Sequence, residues 1–275
     1  MGHDVKVMRR FNYDPYGIYE FYNELVCFIP EEEFLDTCLR EANMSDIVHI
    51  HSRIDAFFYL HKKMRQKPRI VMHFHGTDVR GITPNHKKWP PSDFLISYIK
   101  NHRKSIIRKR SNATVEKLAD KVLVSTPDLV PLVKKGSILL HNPVDTEHFD
   151  KKQSHRPIKR AFTFATESTS DKDWIIDFCK KNGLGYVMVI DRTKNPIVYS
   201  QMPVFLRGFE TYVDIRYINN QQIKSYSKTA LESLACGLTV IDHDLKVIQG
   251  LPEQHNPINV VQKLEGIYEE VIKTL

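Results

Sequence analysis

The sequence predicts an α/β protein made of two Rossmann-like domains that face each other across a cleft. Three observations predict it. Short Val- and Ile-rich runs recur along most of the chain without strict alternation, as in strands buried on both faces of a parallel sheet. Longer amphipathic stretches separate those runs, which is the βα rhythm of doubly wound folds. A polar stretch at 150–159, DKKQSHRPIK, interrupts the rhythm once and carries Pro157.

The strand candidates of the first half are Asp4–Met8, Asp46–His51, Arg69–Phe74, Lys121–Ser125 and Ser137–His141. Those of the second are Ala161–Ala165, Tyr186–Ile190, Tyr212–Tyr217 and Leu238–Asp242. Helices are expected over Glu31–Ala42, Phe94–Lys117 and Trp174–Lys181, the last stopped by Gly183. The expected division is residues 1–150, residues 151–258 and a terminal segment, 259–275. In open α/β sheets ligands bind beyond the carboxyl ends of the strands, so the residues just after each strand are the candidates for chemistry.

Bulk composition narrows the function classes. A hydrophobic fraction of 41% with 27% charged residues is that of a folded globular protein. No apolar run reaches membrane-spanning length and the N-terminus lacks a signal-peptide core, which predicts a cytoplasmic protein. Cys27, Cys38, Cys179 and Cys236 have neither metal-ligand nor disulfide-framework spacing. A net charge of +7 favours anionic partners. The excess is local: from Arg80 to Lys117 there are ten Lys or Arg against Asp93 and Glu116. There Leu95, Ile99 and Ile106 share one helical face while Lys100, Lys104 and Arg108 recur every four residues on another. Such a helix over 94–117 suits an anionic membrane surface or a solvated flank of the domain. No nucleic-acid-binding motif accompanies the charge, so no nucleic-acid partner is expected.

The most informative segment is Ser227–Ile241, SKTALESLACGLTVI, a loop, a short helix, a Gly stop and a buried strand. Amides at a helix start bind phosphate, and Lys228 adds a cation there. Glu232 can accept hydrogen bonds from ribose hydroxyls. Thr229 and Glu232 also have capping-box spacing, in which the carboxylate only satisfies an orphan N–H. His49/His51 and His73/His75 form two H-x-H pairs, each on one face of its strand. Side by side they could offer a metal up to four imidazoles with Asp78 nearby, the basis of a metallohydrolase reading; packing roles are the other reading.

Ser227–Ile241 resembles the donor-site signature of family 4 glycosyltransferases, whose helix carries a ribose-binding Glu followed by Ala-x-Gly-x-Pro-Val. GHDVKV, DIVHIHS, MHFHGTD, ADKVLVST and LLHNPVDTEHF resemble further elements of that family, in the same order. The resemblance implies a GT-B fold and a retaining, metal-independent transfer of sugar from a nucleoside diphosphate donor, without a cofactor. The resemblance also implies an acceptor that is a sugar or a lipid-linked molecule. It places Glu232, Thr229 and Ser227 at the donor, Lys172 and Lys228 at the diphosphate, and His75, with Asp78 and His73, on the acceptor side. It also implies that the terminal helix crosses back onto the first domain.

The departures are specific. Lys224 stands where the family has a second Glu. Glu167 falls where it has an Arg, five positions before Lys172. The chain opens at Gly2-His3-Asp4-Val5, without the strand and Gly-rich loop that precede that element in the family, so an incomplete first domain is expected. These departures also fit a non-catalytic protein that binds a nucleotide sugar.

Overall fold

The computed structural model describes residues 3–11, 14, 16–80, 91–133, 136–150, 159–165, 172–192, 194–218 and 221–273, with the stretch 91–102 described by its backbone alone. Glu167 and most of the 150–159 break lie outside the described residues.

The first half runs β1 (Met8–Arg10), α1 (Ile18–Phe21), β2 (Cys27–Ile29), α2 (Glu31–Ala42), β3 (Ile47–His51), α3 (Ile54–Lys63), β4 (Arg69–Phe74), α4 (Thr77–Arg80), α5 (Pro91–Leu118), β5 (Lys121–Val124) and β6 (Ile138–Leu139). The second runs β7 (Lys159–Ala165), α6 (Lys172–Lys181), β8 (Met188–Asp191), α7 (Met202–Leu206), β9 (Phe209–Val213), β10 (Tyr217–Ile218), β11 (Gln221–Gln222), α8 (Lys228–Ala235), β12 (Thr239–Ile241), β13 (Val247–Gln249) and α9 (Pro257–Lys273).

Two main sheets result, and the α/β class with parallel strands read from the sequence is what the molecule has. In the first, β3-β4-β5-β6 are parallel and lie in chain order. In the second the order is β13-β12-β9-β7-β8, parallel throughout except for the antiparallel edge strand β13. Strand order reverses between β7 and β9, which makes the carboxyl ends of those two strands the ligand-binding switch point of this sheet.

The strands are mostly apolar where helices cover both faces. Val71, Met72, Phe74, Leu123 and Val124 have no exposed surface. One face of the first sheet packs with Phe34, Phe57, Leu60 and Val115; the other carries Val260, Ile267 and Val271 of α9. The second sheet is built around Phe162, Met202, Leu206 and Leu234 on one side and Ile175 with Val213 on the other. These cores do not divide at residue 150. Val144 and Phe149 belong to the second core, and Ile18 and Tyr22 pack against it; the Tyr199 amide donates to the Tyr16 carbonyl at 2.6 Å.

Several elements depart from expectation. The strand placed at Asp4–Met8 is Met8–Arg10 instead, because its partner β2 begins opposite Met8; Val5 and Val7 remain 71% and 45% exposed. The strand placed at Tyr212–Tyr217 is Phe209–Val213; Asp214, just past it, still donates its amide to the Ile241 carbonyl at 2.8 Å, and its carboxylate turns to the Ser227 amide before α8. Strands β2 and β13 and helix α3 had no separate sequence signal. The stop at Gly183 is real: its φ is +67°, and Leu184 N donates to the Cys179 carbonyl at 3.0 Å. Among the described residues no helix is long and apolar enough to cross a membrane.

Candidate active site

Helix α8 is fixed at its start by two carboxyl-terminal features of β9. The buried Asp214 carboxylate accepts from the Ser227 amide at 2.8 Å, and Ser227 Oγ accepts from the Ala230 amide at 2.9 Å. Arg216 pairs with Asp214 at 3.3 Å and also donates to the Ser225 carbonyl, holding the approach loop. The cap is therefore Ser227, not Thr229, and the capping-box reading of Glu232 does not apply. The amides of Lys228 and Thr229 have no acceptor among the described residues, so the helix start keeps two N–H donors.

Glu232 lies one turn further on and is 3% exposed. No hydrogen-bond donor among the described residues reaches its carboxylate; the Lys228 ammonium is 3.8 Å away, on a side chain 59% exposed. Burial raises the Glu232 pKa, opposed by Lys228, Arg192 and His148. A buried, sparsely partnered carboxylate costs stability, which is the usual signature of a group kept for a ligand.

Lys228 and Glu232 share a cavity of about 240 Å³ with Tyr22, Pro143, Val144, Asp145, Phe149, Tyr199 and Pro257. Tyr22 comes from the first half of the chain, but it, Val144, Phe149 and Tyr199 all belong to or pack against the second core. The Tyr22 hydroxyl donates to Asp145 at 2.9 Å and lies 3.0 Å from the Tyr199 hydroxyl. Lys228 Nζ stands 5.2 Å from the Tyr199 ring centroid, within cation–π range. Burial pushes the Tyr22 phenol up to about 12 and the Tyr199 phenol higher still, so both are neutral donors. Tyr22, Tyr199 and Arg192 were not singled out from sequence. Arg192 follows β8, stacks on Tyr16 at 4.4 Å, and is a cation near Glu232 that no motif spacing marked.

The other expected site residues lie elsewhere. Ser227 and Thr229 are buried at the helix start, Ser227 as its cap. Lys172 begins α6 and is exposed, outside the cavity lining, and Lys224 is exposed on the loop before α8. Asp78 has its carboxylate fully engaged. It accepts from Ser52 Oγ at 2.7 Å and from the amides of His75, Gly76 and Val79 at 3.0, 2.6 and 3.1 Å. It is the knot of the loop that carries His75, not a free acid. Gly76 in that loop has φ +138°, and a Cβ there would stand 2.5 Å from the Arg80 guanidinium.

His75 is exposed at the carboxyl end of β4 and hydrogen-bonds the Asn142 side chain, next to Pro143 in the cavity wall. Behind it the two H-x-H pairs do meet. The β3–β4 register sets His51 beside His73, and the four rings lie on one sheet face with neighbouring centroids 4.2–5.4 Å apart. His73 is 4% exposed, and among the described residues neither ring nitrogen has a partner. Burial, with their mutual repulsion, holds His49 near pKa 4 and His51 near 3 and depresses His73; burial, opposed by Asp78, also lowers His75, so all four are neutral imidazoles at neutral pH.

On α5, Ile106 and Ile107 are 39% and 63% exposed, so the apolar stripe is only partly covered. Lys104 is exposed, whereas Arg108 turns back toward the Arg80 carbonyl at 3.4 Å. The side chains of Leu95, Ile99 and Lys100 lie outside the described residues.

Neither a protein-family model nor a curated protein sequence matches the chain. Among solved structures it is similar to an alpha-glucosyltransferase in complex with UDP-glucose and DNA containing an abasic site. That match has 11% identity and a TM-score of 0.45, covering 90% of this chain and 77% of the other. It is also similar to an alpha-glucosyltransferase bound to UDP and a 13-mer DNA with a central A:G mismatch, at 12% identity and TM-score 0.44, over 92% and 76% of the chains. Those proteins are held with DNA as well as UDP, so the exclusion of nucleic acid from the partners, made on the lack of a motif, is withdrawn.

Proposed function

We propose that this protein transfers a sugar from a nucleoside diphosphate donor to an acceptor hydroxyl, with retention of anomeric configuration and without a metal at the diphosphate. The observation that carries the reading is the convergence of a buried Glu232 carboxylate and the Lys228 ammonium on one cavity, on the helix whose first two amides are open. In this reading the donor ribose hydroxyls donate to Glu232, and the diphosphate meets Lys228 and the amides of Lys228 and Thr229. Ser227 holds the helix start in place. Arg192 adds positive charge to that side of the site, and Lys172 contributes only if α6 approaches the bound donor.

The bond from the anomeric carbon to the diphosphate oxygen breaks and a bond to the acceptor oxygen forms, while the acceptor proton leaves with the departing diphosphate. Negative charge grows on the leaving oxygen, so fixed N–H groups and Lys228 stabilise the transition state more than the ground state. His75 is neutral and exposed, and suits a hydrogen bond to the acceptor or to a donor hydroxyl; Asp78 positions it through the loop. His73 supports the ring of His75 from below, with centroids 4.2 Å apart. The basic face of 94–117 fits docking to an anionic membrane that carries a lipid-linked acceptor.

Lys224, exposed where the resemblance calls for Glu, favours a second reading, a binding protein without turnover. One experiment separates the two. Incubation with a panel of nucleotide sugars and acceptors should release nucleoside diphosphate, and Glu232→Ala should abolish it. Saturable donor binding with no release against any acceptor would establish the second reading.

A further inference from the structure

We propose that His49, His51 and His73 form a binding site for one divalent transition-metal ion of the zinc class, separate from the donor cavity. Each residue offers a ring nitrogen, and the three nitrogens lie within 4.8 Å of one another. Period-two spacing on β3 and the parallel register with β4 bring them to one face, so the arrangement comes from rigid sheet and not from loops.

The hydrogen bonding of the cluster suits ligation. His49 Nδ1 contacts the Tyr268 hydroxyl at 2.6 Å, while its Nε2 is buried with no partner among the described residues. A ligand imidazole held by a hydrogen bond through its other nitrogen is the usual outer-shell arrangement at metal centres. His51 Nδ1 is 2.8 Å from His75 Nε2, so its ring too is oriented from the far side. His73 is buried, and both of its nitrogens are unpartnered among the described residues. Buried polar atoms are rarely left so, and three in one cluster are a cost that a bound cation removes.

Imidazole nitrogen selects zinc, copper or nickel over magnesium or calcium. Zinc–nitrogen bonds of about 2.0–2.1 Å in tetrahedral geometry set ligand nitrogens about 3.3 Å apart. The widest separation must therefore close by about 1.5 Å, which small ring rotations supply. Three neutral ligands leave the ion's charge uncompensated, so its fourth position takes a water, hydroxide or other oxygen donor from the side on which His51 is exposed.

The test uses the full chain, stripped with a chelator, desalted and titrated with Zn²⁺ against a chromophoric competitor, with Co²⁺ as spectroscopic probe. One ion per chain should bind with sub-micromolar affinity, and Co²⁺ should give the intense visible bands of four-coordination. His51→Ala, an exposed position, should weaken binding at least 100-fold, and Tyr268→Phe by about 10-fold. Mg²⁺ should not compete. Absence of saturable one-to-one binding overturns the proposal, and so does binding that His51→Ala leaves unchanged, which would put the ion elsewhere. Because the cluster shares no residue with the donor cavity, nucleotide affinity serves as the folding control and is unmoved in either case.

Discussion

Replacing Glu232 by Gln should stabilise the unliganded protein while weakening nucleotide binding, two effects of opposite sign from one oxygen-to-nitrogen change. In the free chain Glu232 is 3% exposed and its carboxylate has no hydrogen-bond donor among the described residues. Its ion-pair partner Lys228 is 59% exposed, so solvent screens the pair to under about 1 kcal/mol. That does not offset the cost of burying the charge, which is several kcal/mol per ion. The amide is neutral but has unmet hydrogen bonds of its own, which leaves a net gain of about 1 kcal/mol at neutral pH. For a chain of this length that raises Tm by about 2 °C.

The sign of the pH dependence follows from burial. A carboxyl whose folded pKa is raised contributes stability that is complete below its unfolded value and is lost as pH rises through the folded one. The gap between variant and parent should close in acid and open toward neutral pH. With nucleotide bound, losing charge-assisted hydrogen bonds worth about 1.5–3 kcal/mol weakens affinity about 10- to 150-fold. Thermal melts between roughly pH 4 and 8, together with calorimetric titration with UDP, GDP and ADP, measure both effects. A variant that melts lower and binds as tightly as the parent would make Glu232 a structural group and refute the reasoning.

Four further outcomes are expected. Tyr22→Phe removes the bond to Asp145 and should cost about 0.5–1.5 kcal/mol in denaturant unfolding. In the parent, burial raises the Tyr22 phenol to about 12, so its stabilisation is complete below the unfolded value near 10 and lost as pH climbs to 12; alkaline difference spectra should show its ionisation delayed. Asp78→Ala frees three backbone donors and Ser52, and should cost about 2–4 kcal/mol and lower turnover, with Asp78→Asn intermediate on both readouts. Phe162→Ala, at a fully buried ring, should cost about 3–5 kcal/mol by the same unfolding measurement. Lys104→Ser with Arg108→Ser should reduce co-sedimentation with anionic liposomes; an unchanged pellet would end the membrane-docking idea.

Most of the fold was legible because buried parallel strands must be continuously apolar. Arg69–Phe74 and Glu31–Ala42 have the bounds their residue patterns imply. What was illegible is set by long-range pairing. β1 starts at Met8 because β2 is its partner, and neither short strand has enough residues to show a period. The apolar residues of α3 are close to a continuous run, Ala56-Phe57-Phe58-Tyr59-Leu60, which masks helical periodicity. At the site, Lys228 and Glu232 could be found because they sit four apart on one short helix. Tyr22 and Tyr199 could not, since 177 residues separate two hydroxyls that lie 3.0 Å apart. The capping role went to Ser227, two positions before the residue whose spacing suggested it, because Asp214 from another strand fixes the Ser227 amide. The two H-x-H pairs showed in sequence which face each His occupies, but only the register of β3 with β4 shows that they meet.

The most direct measurement is an experimental structure of the chain soaked with a nucleoside diphosphate. Density for the diphosphate is expected at the open amides of Lys228 and Thr229, with both ribose hydroxyls within hydrogen-bond distance of Glu232. Density lodged away from α8, or a cavity that stays empty at saturating nucleotide, would contradict it.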